Sequence, residues 1–501
     1  MKKFIYISIY ALLLGSCTST PKSVIQSNTT PQIFPDYTNI VIPNNIAPLN
    51  FKADSEQIIL SVKVTTKNKT YNLSATDGQM IWNDRKWRKM LKNNINDTIF
   101  YTVTTINNAG IATEYKPFYQ FISADSIDPY LAYRLINTGY VLWSKIGLYQ
   151  RCVENFKQSP IIENRSVDRA CMNCHTFCKQ SPKTLLFHTR KYNPGTTIYN
   201  NGTLKKYSTK TSISMSEGVY ASWNPNGKIV ALSTNFISQR FNNNYSKRIY
   251  VSDSKSDIVL LNLDTETLTT CPALSTTDFE NLPAWAPDGK TLYYITAPPR
   301  TNPADTFDFT FRYSLASITY NADNNTWGEV DTLLRATDVN GSITFPKPSP
   351  CGNYIAFTLA DYGYFTPFNN EADIYLLNLK TKEVTAQDNV NSNFAESNHN
   401  WSNNGKWFVV GSKAPDGLIT KPYFAHFENG KFSKRFVLPQ QSPDFYHQST
   451  ENFNNADFIT GKVEPSPNAL RNAVVGNAVK VKADPTVDID ALSGATANKK
   501  E

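Results

Sequence analysis

The sequence predicts a mainly β protein in three parts: a small N-terminal β-sandwich, a short helical segment, and a large array of repeated hairpins closed around an axis. Three observations support this. Alternating apolar runs stand near the N-terminus, a hairpin-like unit recurs through the second half, and aromatic residues make up 13% of the 501-residue chain. Aromatic and β-branched side chains suit the pleated surface of a sheet.

The first elements concern export. Lys2 and Lys3 form a basic head, an apolar run spans residues 4–14, and the run closes on Leu14-Gly15-Ser16-Cys17. A charged head, a short apolar stretch and small residues before a cut mark an export signal, and the run is too short to span a bilayer. Leu-Gly-Ser-Cys resembles the bacterial lipobox. The resemblance implies that residues 1–16 are a signal peptide and that Cys17 becomes the lipidated first residue of the mature chain. The expected location is the cell envelope, anchored in membrane lipid and facing the periplasm. Residues 17–50, rich in Thr, Asn and Pro, read as a tether.

Alternating runs at 57–64 and 98–103, with an Asp77-Gly78 turn between them, predict the β-sandwich over 51–125. Asp128-Pro129 then looks like a helix start, and 130–136 reads as a short helix. Trp143, Ile146, Tyr149, Val153 and Phe156 recur at helical spacing and predict a second one, with the stripe packed in a core. Residues 126–195 are therefore expected to be a helical segment.

Beyond it the chain repeats itself. Trp223-Asn224-Pro225-Asn226-Gly227-Lys228, Trp285-Ala286-Pro287-Asp288-Gly289-Lys290, Pro348-Ser349-Pro350-Cys351-Gly352-Asn353 and Trp401-Ser402-Asn403-Asn404-Gly405-Lys406 each precede an apolar run. Their first positions are 62, 63 and 53 residues apart. Asp257-Ile258-Val259-Leu260-Leu261-Asn262-Leu263 recurs as Asp373-Ile374-Tyr375-Leu376-Leu377-Asn378-Leu379. Each unit is a hairpin that cannot bury both faces alone, so repetition around an axis is the natural solution. The Trp-x-Pro-Asp-Gly-Lys form resembles the TolB-type, WD40-like propeller repeat. That resemblance implies a β-propeller over 196–460, with five or six blades if degenerate units near 197–209 and 441–459 are included.

The formal charge is +8, with Lys and Arg scattered, so nucleic acid is not an expected partner. Of seven cysteines, Cys171 and Cys174 stand in Cys171-Met172-Asn173-Cys174-His175. A c-type haem needs two thiols one helical turn apart for thioethers to its vinyl groups, and a histidine beside the second to ligate iron. The motif predicts haem c held by Cys171 and Cys174, with His175 as the proximal ligand. Two other readings stay open. A redox-active Cys-x-x-Cys would lack its usual βαβ surroundings. A zinc site using Cys178 would need a fourth ligand. His188, thirteen residues on, is the expected distal iron ligand; a histidine bonded to backbone is the alternative. Cys152 and Cys178 flank the motif and are the expected disulfide pair, permitted by the oxidising compartment.

The tail, 461–501, contains Asp490-Ala491-Leu492-Ser493-Gly494-Ala495-Thr496. It is similar to the flavinylation motif of FMN-binding subunits in ion-pumping quinone and ferredoxin oxidoreductases. The similarity implies FMN joined through its phosphate to the Thr496 hydroxyl, with Asp490, Ser493 and Gly494 completing the motif. Residues 461–489 are too few for the folded body that precedes the motif in those subunits, and a disordered tail is the alternative. Three functions follow. The chain is an electron carrier serving redox partner proteins, a propeller scaffold with structural or sensory haem, or a propeller oxidoreductase with haem as its electron outlet. No second haem motif or glycine-rich nucleotide loop supports the last.

Overall fold

A computed structural model describes residues 21–138, 144–241, 249–302 and 307–494. Most regular structure in it is β. The N-terminal part holds a seven-stranded and a three-stranded sheet. Its first strand, Ser23–Gln26, lies parallel to Ile111–Glu114, and Ile40–Pro43 lies parallel to Phe118–Ser123. The expected tether over 17–50 is thereby corrected from residue 23 onward. Tyr37, Ile40, Ile42 and Leu49 are buried in one core with Phe51, Val62, Tyr101 and Phe118. Their wide spacing among Asn, Thr and Pro conceals them in the composition.

A helix absent from the sequence reading, α1 (Asp84–Asn93), packs on this core. The Asn83 side chain caps it, accepting from the amides of Arg85 and Lys86, a contact of about 1 kcal/mol. Trp87, Met90 and Leu91, at helical spacing, face inward, and the Trp87 indole donates to the Ile46 carbonyl at 2.8 Å.

Among the described residues, six further sheets follow, antiparallel apart from one short parallel pair at the outer edge of two of them. The first joins Tyr130–Asn137, Ile146–Cys152 and Gln158–Glu163 to the much later Glu451–Ile459. The others run in sequence from Cys171–Thr176, Val219–Trp223, Phe279–Trp285, Ser342–Pro348 and Glu396–Trp401, each the inner strand of its sheet. Those five inner strands and Glu451–Ile459 adjoin one another in a closed ring. The arrangement is propeller-like, and it begins near residue 130.

The expected helical segment is thus wrong. Residues 130–137 and 146–152 are strands, and the motif itself lies on the strand Cys171–Thr176. Every residue of Ile146–Cys152 is buried. A strand covered on both faces loses its alternation, so periodicity does not separate it from a helix. Trp143 lies outside the described residues.

The repeated hexapeptides are the turns from inner to second strand. Trp223, Trp285 and Trp401 close inner strands, and Gly227, Gly289, Gly352 and Gly405 adopt φ of 71°, 69°, 72° and 67°. Those values need glycine for an unstrained turn. The two Asp-headed repeats are third strands. The apolar core lies between successive sheets, with Met172, Leu185 and Phe187 against the first and Leu186 and Ile198 against the third.

The described part of the tail, through residue 494, packs against the ring. Helix Pro467–Val475 buries Leu470 and Val474 beside the first two sheets. Val479–Lys480 and Lys482–Ala483 add parallel pairs to the outer edges of the second and third sheets. Burial of Val481 and Leu492 fixes the path between them. No helix among the described residues is long and apolar enough to cross a membrane.

Candidate functional site

One backbone device recurs in all six inner strands. Cys174, Tyr220, Leu282, Phe345, Asn398 and Asn455 have φ between 48° and 54°, and the ladder slips at each. Three residues later stand Phe177, Trp223, Trp285, Pro348, Trp401 and Phe458. A bulge of this kind re-aims the side chains around it, and left-handed non-glycine residues cost roughly 1–2 kcal/mol. Cys171-Met172-Asn173-Cys174-His175 is therefore the local form of a fold-wide repeat. His399 occupies the place equivalent to His175 in the sixth sheet.

Cys171 and Cys174 are unpaired and half-buried. Burial raises the Cys171 thiol pKa, while Arg134 and Arg190 oppose the rise. His175 is buried edge-on to Phe177 at 6.1 Å. Burial, aided by the nearby charges of Arg134 and Lys347, pushes its pKa down to about 3. A backbone hydrogen bond to Ala132 opposes this by favouring the proton. His188 is also pushed to about 3 by burial; its Nδ1 lies 2.9 Å from Thr196 Oγ1, and its Nε2 has no partner. Arg134 Nε and Asn173 Oδ1 are buried and unpartnered as well.

An unmet buried polar group costs about 1–3 kcal/mol, and His188 Nε2, Arg134 Nε and Asn173 Oδ1 are such groups along this stretch. Two thiols out of disulfide linkage with a histidine next in sequence are the donor set that covalent haem c would take at Cys171, Cys174 and His175.

His188 pairs across from Asn173 and shares a sheet face with Leu186, which packs toward the third sheet. His175 lies with Phe177, in the core shared with the first sheet. Leu186 and Phe177 thus fall in different cores, and ligation of one iron by both histidines is left as an expectation. No group of three His, Cys, Asp or Glu side chains gathers for a metal among the described residues.

The Cys152–Cys178 pairing is also corrected. Both are unpaired: Asn155 donates to Cys152 Sγ at 3.1 Å, whereas Cys178 lies in the core between the second and third sheets, its thiol 3.5 Å from the Asn224 carbonyl.

Of the tail motif, Thr496 and Ala495 lie outside the described residues, as does Cys17. The Asp490 amide donates to Asp488 at 3.1 Å. Ser493 and Gly494 donate their amides to the Ser275 carbonyl at 3.2 and 2.9 Å. A Cβ on Gly494 would come within 2.5 Å of Ser275 Oγ and 2.6 Å of Asp257 Oδ2, so only glycine fits. Beneath lie two carboxyls the sequence reading did not single out. Burial pushes Asp257 up to about 7 and Glu280 up to about 8, and Asp257 raises Glu280 further. The related pair Asp373 and Glu396 has a cation, Arg435, 2.7 Å from Glu396. The polar Asp heading an otherwise apolar repeat was the available signal.

No family model matches the chain, and no curated protein matches it. Solved structures give distant likenesses. The β-propeller domain of the Trilobed protease from Pyrococcus furiosus is 12% identical over 69% of this chain and 95% of its own, with a TM-score of 0.32. Hydrazine synthase from Kuenenia stuttgartiensis is 11% identical over 53% of this chain, with a TM-score of 0.30; the match spans 65% of that chain, just under two thirds. A luciferin-regenerating enzyme is 9% identical over 68% of this chain and 86% of its own, with a TM-score of 0.27. The chain is mainly β and has a propeller domain among its structural neighbours.

Proposed function

We propose that this chain is an extracytoplasmic electron-transfer protein, anchored by lipid on Cys17 and carrying one covalent haem c. Cys171-x-x-Cys174-His175, with two unpaired thiols and a buried imidazole, carries the proposal. The six sheets are read as blades of one propeller, closed by Glu451–Ile459 beside Tyr130–Asn137, and the two N-terminal sheets as a sandwich. A haem bound here supplies one-electron transfer. Cys171 and Cys174 hold it covalently, and His175, neutral at cellular pH, offers a ring nitrogen to iron. Arg134 and Arg190, close to Cys171, favour the less positive, reduced state of a centre held there. The propeller rim serves redox partner proteins. FMN joined to Thr496 belongs to the same proposal; its support is the motif from Asp490 to Thr496, although docking gives Gly494 a structural reason of its own.

One observation favours a second reading, a propeller scaffold without haem. The bulge at Cys174 and the buried histidine at 175 recur at Asn398 and His399, where no cysteine stands. The test is the mass and optical spectrum of the mature protein from a host able to attach haem and transfer flavin. A haem mass increment lost in Cys171→Ala/Cys174→Ala, with sharp reduced bands, supports the carrier. An unmodified chain refutes it and leaves the scaffold. A flavin increment on the peptide containing Thr496 tests the second centre separately.

A further inference from the structure

The sequence reading treats the cations as scattered, but the fold gathers five of them. Arg85, Lys86, Arg88, Lys89 and Lys92 are all exposed on α1, while Trp87, Met90 and Leu91 hold its other face in the core. None of the five enters an ion pair among the described residues. The one acid on the helix is Asp84, in its first turn. Apolar side chains flank the patch, with Ile81 38% and Ile95 45% exposed. A solvated helix face normally mixes both signs, whereas five unopposed cations between two exposed isoleucines suit a surface of anionic headgroups.

Chain length points to the same occupant. Ser23 opens the first strand, six residues after Cys17, so an anchor at Cys17 holds the domain within about 20 Å of the bilayer. The two points sit at opposite ends of one strand, Asp97–Ile106. Ser23 pairs with Ile111, beside the Ile106 end, while the Asn96 amide just past α1 donates to the Ile122 carbonyl at the Asp97 end. That ten-residue strand is roughly 33 Å long. Contact at both ends lays the domain along the membrane, where lipid alone would let it swing. A basic patch is a common second attachment beside a lipid anchor.

We propose that the exposed face of α1 docks on anionic lipid headgroups. The proposal draws its biological sense from lipidation at Cys17 but is tested without it. The full mature chain carrying Cys17→Ser is sedimented with vesicles of phosphatidylcholine, and of phosphatidylcholine with phosphatidylglycerol at two to one. Binding to the anionic vesicles only, weakened by salt, is expected. Lys86→Glu/Lys89→Glu/Lys92→Glu should lower that partition at least a hundredfold, since each basic residue near such a surface contributes about fivefold. Lys63→Glu/Lys67→Glu/Lys69→Glu, the same charge change on an exposed hairpin of the same domain, should lower it far less. Unchanged melting temperatures establish that both variants fold. Equal binding to neutral vesicles, no binding to anionic ones, or equal losses in the two variants overturns the proposal. So does tighter binding of duplex DNA than of vesicles at the same salt.

Discussion

The carboxyl pair beneath Gly494 makes stability depend on pH in the direction opposite to most surface acids. Asp257 moves from 3.8 to about 7 and Glu280 from 4.5 to about 8, both because burial disfavours the charged form. The Ser275 hydroxyl reaches Asp257 at 3.0 Å, and Thr276 bonds Glu280. Lys255 is the cation that lowers Asp257, while Asp278 raises Glu280. The folded state therefore holds protons that the unfolded chain releases near pH 4. Their stabilising effect is complete below that point, fades as pH rises, and is gone above about pH 8. At 1.36 kcal/mol per unit, about three units on Asp257 alone correspond to about 4 kcal/mol, an upper figure for a coupled pair. Melting temperature should fall between about pH 5 and about pH 8.5, and Asp257→Asn/Glu280→Gln should flatten a large part of that fall. Asp373 and Asp457, raised to about 6 and about 7, supply a background fall that the variant retains. A variant whose melting curve runs parallel to that of the native chain over this range would refute the reasoning.

Three further outcomes follow from the packing. Gly494→Ala should free the end of the tail by forcing a Cβ against Ser275 and Asp257, read as faster limited proteolysis after residue 480 with the propeller intact. Arg435→Met should cost about 3–5 kcal/mol in chemical unfolding, because it leaves the fully buried Glu396 without its cation. Trp401→Ala should cost about 3–5 kcal/mol, since the indole is 1% exposed and donates to the Lys347 carbonyl at 3.0 Å. A loss under about 1 kcal/mol in either of the last two would contradict the burial described.

What was legible in the sequence was local. The turns announce themselves because Pro, Asn, Asp and Gly fix backbone angles within four residues, and Gly227, Gly289, Gly352 and Gly405 adopt the left-handed values such turns need. What was hidden depends on partners far away in the chain. Glu451–Ile459 closes on Tyr130–Asn137 across some three hundred residues, so nothing near residue 130 announces that it begins the ring. The inner-strand bulge is hidden for another reason. Six different surroundings impose one backbone shape on Cys, Tyr, Leu, Phe, Asn and Asn, and no residue type marks the position. This bears directly on Cys171-Met172-Asn173-Cys174-His175. A short motif carries its chemistry only in the backbone that suits it, and here the fold supplies a bulged strand where the motif suggested a helical turn. The strand still holds a buried imidazole next in sequence to one of two unpaired thiols. His399 has the same place in the repeat, and each ring meets an alanine backbone of the preceding sheet, His175 at Ala132 and His399 at Ala356. The fold thus gives a buried histidine at this place a structural setting in two sheets, and what sets position 175 apart from position 399 is the pair Cys171 and Cys174.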